Sequence, residues 1–367
     1  MKKILRKTPG WIATLIITIL NAFWLFWGLG EAFYEGWGVP ETPWFLFLAI
    51  GVLAMAFSAL AIRFPVVGGG ILVVAGLMFA VWWLLPGIQR GLYSLNVVME
   101  RLFLSGGFTL VGGLFILDGI FNSRKKIDNR SWFLKNLRYL VALGIPLLIG
   151  IGVTTVNLPI VLTRVDDGNR GARLIEGNGV ELIWAPAGPG WNWKQDFGGY
   201  PSWDALASYG IHALGLDVAK LTGDHADQAD MTETGLCAFL DESGQHLLEE
   251  PQHIWRMPTV DEIARSLSLH NENAGCWWDG QTGKLPCETR TDKETPLWAP
   301  DEPPVYYWAG EEFDKDTAYY VSYTGFVSRQ PKDWGNPRHG YRCVRPPDTP
   351  LSMMRPRDIF LFLNAIK

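Results

Sequence analysis

Residues 139–162 read YLVALGIPLLIGIGVTTVNLPIVL and are followed at once by Thr163-Arg164-Val165-Asp166-Asp167. The first run carries no charge, and about 20 apolar residues in a helix cross a hydrocarbon core roughly 30 Å thick. This run is therefore expected to span a membrane. The chemistry changes where it ends. All four cysteines (Cys237, Cys276, Cys287, Cys343) and all six histidines lie beyond it. The chain divides near residue 163 into a membrane anchor and a domain of different composition.

Four further apolar runs precede it, at residues 11–30, 43–62, 65–85 and 102–121. Helices satisfy their own backbone hydrogen bonds in lipid, so residues 1–163 are expected to form an all-α bundle of five transmembrane helices. The first run leads into more spans and lacks a small-x-small cleavage site, which marks it as a signal anchor. Orientation follows from lysine and arginine. Lys2, Lys3, Arg6 and Lys7, then Arg63, then Arg124, Lys125, Lys126, Arg130, Lys135 and Arg138 lie on alternate links, eleven in all. The other links hold only Arg90 and Arg101, and the first carries Glu31, Glu35 and Glu41. The positive-inside rule places the N-terminus in the cytoplasm, and five spans then place the region after residue 162 outside.

The bundle shows little of what transport requires. Asn21 is the only strongly polar residue near a span centre, and Asp118 lies beside the basic link, where an interfacial pair is expected. Gly68-Gly69-Gly70 suits close helix packing better than a broken helix. Trp24, Trp27, Trp37, Trp44, Trp82 and Trp83 fit aromatic belts at the membrane surfaces.

Residues 164–367 hold 19 basic and 31 acidic side chains, a net charge of −12, against +7 for the anchor. An acidic surface excludes nucleic acid, which needs a basic footprint, and disfavours lying flat on anionic lipid. An even cysteine count facing an oxidising compartment predicts two disulfides. Four cysteines allow three pairings. Cys276 and Cys287, separated by ten residues around a Gly-containing turn, look like a local bridge, leaving Cys237 for Cys343. Pro258-Thr259-Val260-Asp261-Glu262 carries a capping box, Thr259 with Glu262, opening a helix through Ile263, Leu267 and Leu269. A second helix is expected from Ser202 through Trp203, Leu206, Ala207, Ile211 and Leu214. Tyr306-Tyr307-Trp308, Ala318-Tyr319-Tyr320-Val321-Ser322-Tyr323 and Tyr341-Arg342-Cys343-Val344 read as strands. The pattern predicts an α+β domain over residues 164–350 and a tail over 351–367, whose apolar Ile359-Phe360-Leu361-Phe362-Leu363 is too short to span.

Trp255-Arg256-Met257-Pro258-Thr259-Val260-Asp261-Glu262 resembles the W-R-L-P-T-x-x-E element of the formylglycine-generating enzyme (sulfatase-modifying factor) superfamily and of the related Lcl C-terminal domain family. Gly340-Tyr341-Arg342-Cys343-Val344-Arg345 resembles their closing G-F-R-C-V-R, Tyr307-Trp308-Ala309-Gly310-Glu311 the Y-W-S-S-T element of the second family, and Ser202-Trp203-Asp204-Ala205 a W-x-D-A helix start. These elements keep the family order over about residues 180–347. The resemblance implies a C-type-lectin-like fold. Trp255, Arg256, Pro258, Thr259, Glu262, Trp308, Arg342 and Arg345 are expected to be structural: Trp255 and Trp308 in the core, Arg256 and Glu262 at the helix entrance, Arg342 and Arg345 pairing with acidic neighbours.

The enzymes resembled here bind copper through two cysteines separated by four residues. That spacing is absent, as is the H-x-x-x-H-x-E of the related sulfoxide synthases, so a catalytic role is uncertain and disfavoured. His225 with Asp224, Asp227 and Asp230 is the nearest metal-like cluster, and a solvated loop explains it better. A lectin-like scaffold presents ligands on loops. Trp277, Trp278 and Asp279, Glu311 and Glu312, and Trp334, Asn336 and His339 are the candidate ligand-binding residues. No cofactor is certain, with calcium a candidate. The leading expectation is a multi-pass plasma (inner) membrane protein displaying a non-catalytic, lectin-like module to an extracellular or periplasmic ligand or protein. It could equally serve as an accessory subunit of a membrane complex. The alternatives are a membrane-bound oxidoreductase of the formylglycine-generating type and a small transporter with an outer cap.

Overall fold

The computed structural model describes residues 8–40, 42–89, 95–122, 131–192, 201–213 and 225–347. The basic residues before Thr8, Arg90, residues 124–130, Leu214 and the tail lie outside this set. The chain forms two compact units, one of Met1–Trp37 with Pro43–Val161, the other of Leu162–Lys367 with Gly38–Thr42.

In the first unit, α1 (Thr8–Glu31) runs through a π turn at Ala32–Gly36, followed by α2 (Phe45–Arg63), α3 (Pro65–Gln89) and α4 (Leu95–Asn122). Then α5 (Trp132–Tyr139) leads through a π turn at Leu140–Gly144 into α6 (Ile145–Leu162). Five stretches are long and apolar enough to cross a membrane: Thr8–Gly36, Phe45–Arg63, Pro65–Leu85, Arg101–Phe121 and Asn136–Leu162. Without a hydrophobic force between helices in lipid, small residues and hydrogen bonds hold such bundles together. At the α3–α4 crossing a Cβ added to Gly69 would lie 2.6 Å from the Gly112 carbonyl oxygen, and one on Gly112 only 2.5 Å from that of Gly69. The glycine triplet therefore permits close packing inside a continuous helix. Asn21 is fully buried and ties three segments, donating to Ser58 Oγ (2.9 Å) and the Ala142 carbonyl (3.1 Å). Asp118 pairs with Arg138 at 2.8 Å. Trp24 departs from the belt expectation: it is 7% exposed and packs edge-on against Phe23, Trp27 and Phe79.

The second unit opens with a hairpin, β1 (Arg173–Gly177) and β2 (Val180–Trp184), which the closing strand β11 (Val344–Arg345) extends to three strands. The larger sheet has the order β3-β10-β7-β8-β9-β6, with β3 Trp191–Asn192, β6 Gly283–Lys284, β7 Tyr306–Glu312, β8 Thr317–Ser322, β9 Phe326–Pro331 and β10 His339–Arg342. The strands expected from the aromatic runs all form. β10 and β11 flank Cys343, so the end of the chain passes from one sheet to the other at the residue that bonds Cys237. Cys276 bonds Cys287, and no described cysteine is free.

The capping box forms as expected: Glu262 N donates to Thr259 Oγ1 (3.1 Å) and Thr259 N to Glu262 Oε2 (2.8 Å). The helix it opens, Val260–Ser266, is shorter than expected. Leu267 turns extended and Ser268–Leu269 pairs as β4 with β5 (Glu272–Asn273). The helix expected from Ser202 is two short ones, Trp203–Ala207 and Tyr209–Ala213. Ser208 breaks it by returning Oγ to the Asp204 carbonyl (2.6 Å), and the Gly210 amide goes instead to Thr234 O (2.7 Å).

Tryptophan builds the core. Trp184, Trp203, Trp255, Trp298 and Trp308 are each at most 2% exposed, and truncating one such ring typically costs about 3–5 kcal/mol. Several have their indole N–H satisfied: Trp203 by Ala309 O, Trp308 by Pro201 O and Trp255 by Asp241 O. Arg342 corrects the expected acidic pairing. Its guanidinium is fully buried against Trp191 (3.7 Å) and donates to the carbonyls of Ala185, Pro296 and Leu297. Arg345 lies over Trp255 at 5.2 Å. Burial without a carboxylate partner pushes the Arg342 guanidinium down to about 9.

Candidate ligand surface

The capping box places the first group of side chains. Arg256 reaches Glu262 with two hydrogen bonds (2.7 and 2.6 Å), and backbone bonds between Arg256 and Val344 fix that arginine on the closing strand. Burial would raise the Glu262 carboxyl, but Arg256 and the Thr259 amide hold it below its ordinary value. The pair thus closes the helix entrance. One residue on, Val260 N donates to Glu311 Oε2 (2.5 Å) on β7, and Asp261 accepts Trp278 N at 2.7 Å and Arg265 Nε at 2.6 Å. The helix start therefore positions both Glu311 and the Trp278 loop.

Alternation along β8 supplies the rest. Adjacent tyrosines point to opposite faces of a strand: Tyr320 goes into the core beside Trp308, and Tyr319 goes out. The Trp278 and Phe313 rings each stand 5.3 Å from Tyr319, at 74° and 81° to it. Phe313 is 41% exposed and carries the Arg329 guanidinium 3.9 Å over its face. The result is a row of rings, Trp278–Tyr319–Phe313, with Glu311 behind it. Burial pushes the Glu311 carboxyl up, the Val260 amide opposes this, and the charges of Glu262 and Asp261 add to the rise. Burial and the Glu311 charge likewise raise the Tyr319 phenol.

Of the residues expected to bind ligand, Trp278 and Glu311 join this row. Trp277 (57% exposed) precedes Trp278 on the bridged loop, and Asp279 accepts Gln281 N within that turn. Glu312 is committed elsewhere: it pairs at 2.6 Å with Lys332, which is buried over Trp203 and also bonds Ala226 O. Trp334 (50% exposed) and Asn336 sit on the β9–β10 loop, where Asn336 accepts the Arg338 amide. His339 is a correction. It is fully buried, stacked on Trp308 (4.7 Å) between Tyr306 and Tyr320, and among the described residues neither ring nitrogen has a hydrogen-bond partner. Of the acidic cluster around His225, Asp224 lies outside the described residues; His225 Nδ1 meets Asp204 (2.6 Å), and Asp227 and Asp230 form a capping box. Among the described residues no group of three His, Cys, Asp or Glu could hold a metal ion. Tyr319 and Phe313 were missed, although the alternation at Tyr319-Tyr320 carried the signal.

Burial pushes the His339 imidazole down to about 3, with the Arg338 charge adding. The folded state then binds fewer protons than the unfolded one between roughly pH 6.5 and 3, so this histidine costs stability as the pH falls through that window. Because its nitrogens bond nothing among the described residues, His339→Phe should retain the stack and flatten the acid side of the stability curve. Melting temperatures from pH 7 to pH 4 check this, and an unchanged slope would contradict it.

No protein family, no curated protein and no solved structure matches the chain.

Proposed function

We propose that the chain is a multi-pass plasma (inner) membrane protein that displays a non-catalytic, C-type-lectin-like binding module outside the cytoplasm, alone or as an accessory subunit of a membrane complex. The observation that carries this is the ring row Trp278–Tyr319–Phe313, held partly exposed by a helix start, a three-strand register and the Cys276–Cys287 bridge. Aromatic rings kept at a surface on rigid elements suit recognition. The two disulfides support an oxidising compartment for this unit, and the excess of basic residues on alternate links supports the inward N-terminus.

The test is thermal unfolding of the full chain in lipid nanodiscs against calcium, EDTA, copper and a panel of glycans and peptides. A ligand specific for the native state must raise the midpoint, because it adds about 2.7 kcal/mol of stability at a hundred times Kd. A rise abolished by Trp278→Ala with Tyr319→Ala supports the module. A response to copper alone would replace it with the oxidoreductase reading. Silence across the panel would leave a structural subunit.

A further inference from the structure

Four carboxylates lie near the ring row, on the helix, on β7 and in the β7–β8 turn, and three of them already hold a guanidinium. Asp261 holds Arg265 (2.6 Å), Glu262 holds Arg256 (2.6 Å) and Asp314 holds Arg329 (3.7 Å). Glu311 is the exception: it accepts only the Val260 amide, and among the described residues no lysine, arginine or histidine nitrogen lies within 4.0 Å of it. Beside it stands Tyr319, with two rings nearly perpendicular to it at 5.3 Å. The flanking Phe313 already takes a cation on its face at 3.9 Å. An aromatic face attracts a cation through the ring quadrupole, and more strongly where the cation is desolvated. Arg256 acts on Glu311 only at longer range, and a carboxylate with no cation in direct contact, beside aromatic rings, is complementary to a positively charged group that also has apolar surface.

We propose that Glu311 and Tyr319, flanked by Trp278 and Phe313, receive the alkylammonium group of a soluble ligand. This rests on the binding-module reading and names its ligand class. Charge supports a free cation as the source: the region after residue 163 carries a net −12, and a field of that sign concentrates soluble cations around it. An ammonium group beside Glu311 favours its ionised form, opposing the burial that now raises it, so affinity should fall as the pH is lowered.

The experiment uses the full chain in phosphatidylglycerol nanodiscs, which contain no ammonium headgroup. Tetramethylammonium or butylammonium chloride is titrated at constant ionic strength against sodium chloride, with tryptophan fluorescence as the readout. Saturable binding absent with sodium is expected. Glu311→Gln keeps the acceptor for Val260 and should weaken binding about tenfold, the effect of roughly 1.4 kcal/mol. Tyr319→Leu should weaken it similarly, and Leu248→Ala, on another exposed surface, should leave it unchanged. Folding of each variant is checked by its melting midpoint. Absence of ammonium-specific binding in the folded chain overturns the proposal, as does binding indifferent to both Glu311→Gln and Tyr319→Leu. Binding of a neutral glycan in place of the amine overturns the ligand class while the module stands. Loss of binding to every member of the panel overturns both.

Discussion

Replacing both Cys237 and Cys343 with serine is expected to destabilise the second unit by about 4–5 kcal/mol, and replacing Cys276 and Cys287 by about 2–3. The difference follows from loop length: the first pair lies 106 positions apart and the second 11. Closing the longer loop removes more freedom from the unfolded chain. Position adds to the difference. Cys237 and Cys343 are 3% and 0% exposed, and Cys343 sits where the chain changes sheets, bonded through its amide to Gly190 O and through its carbonyl to Ala185 N. The measurement is denaturant unfolding of the full chain, followed by fluorescence of the buried tryptophans. Equal losses from the two pairs would refute the loop-length argument. The short bridge should show itself differently, by faster proteolysis of the loop that carries Trp277 and Trp278.

The anchor was legible because its information is local. Span positions depend only on hydropathy, and glycines within spans announce close packing. The disulfide pairing was legible for a similar reason, since one pair is near in sequence and leaves the other by elimination. Thr291-Asp292-Lys293-Glu294-Thr295 shows what was not. These are five consecutive polar residues, and each is at most 1% exposed. Asp292 is bidentate with Arg164, Glu294 accepts the amides of Val165 and His270, and Thr295 exchanges bonds with Val165 and Asp167. Lys293 reaches the Glu302 carbonyl, and burial brings its ammonium down to about 7. Most of these partners come from residues 164–167, more than a hundred positions away, so no window of sequence could reveal them. His339 failed for the same reason, because the rings that enclose it arrive on β7 and β8. The β1–β2 hairpin is a different case. Asn178-Gly179 between two apolar-alternating runs is a strong hairpin signal, present in the sequence and overlooked.

Arg138→Ala should destabilise the helical unit by about 3–5 kcal/mol, because it removes the guanidinium that faces a buried carboxylate. Arg138 joins three segments: Nη1 bonds Asp118 (2.8 Å) on α4, Nε bonds Thr14 Oγ1 (2.9 Å) and Nη2 bonds the Gly10 carbonyl (2.8 Å) on α1. Its guanidinium also lies 5.5 Å from the Phe115 ring. The Asp118 side chain is 7% exposed, and it fills the space where a Cβ on Gly10 would fall, at 2.4 Å. Water therefore has little room to replace the lost guanidinium. Removing both charges in Asp118→Asn with Arg138→Met should recover much of the stability, since an absent pair costs less than a broken one. The coupling between the two substitutions, measured by unfolding in mixed micelles, should exceed 1 kcal/mol, in the range found for residues sharing one network. Additive losses would mean that Arg138 acts through Thr14 and Gly10 alone, and that Asp118 is not part of the lock joining α4 to α1.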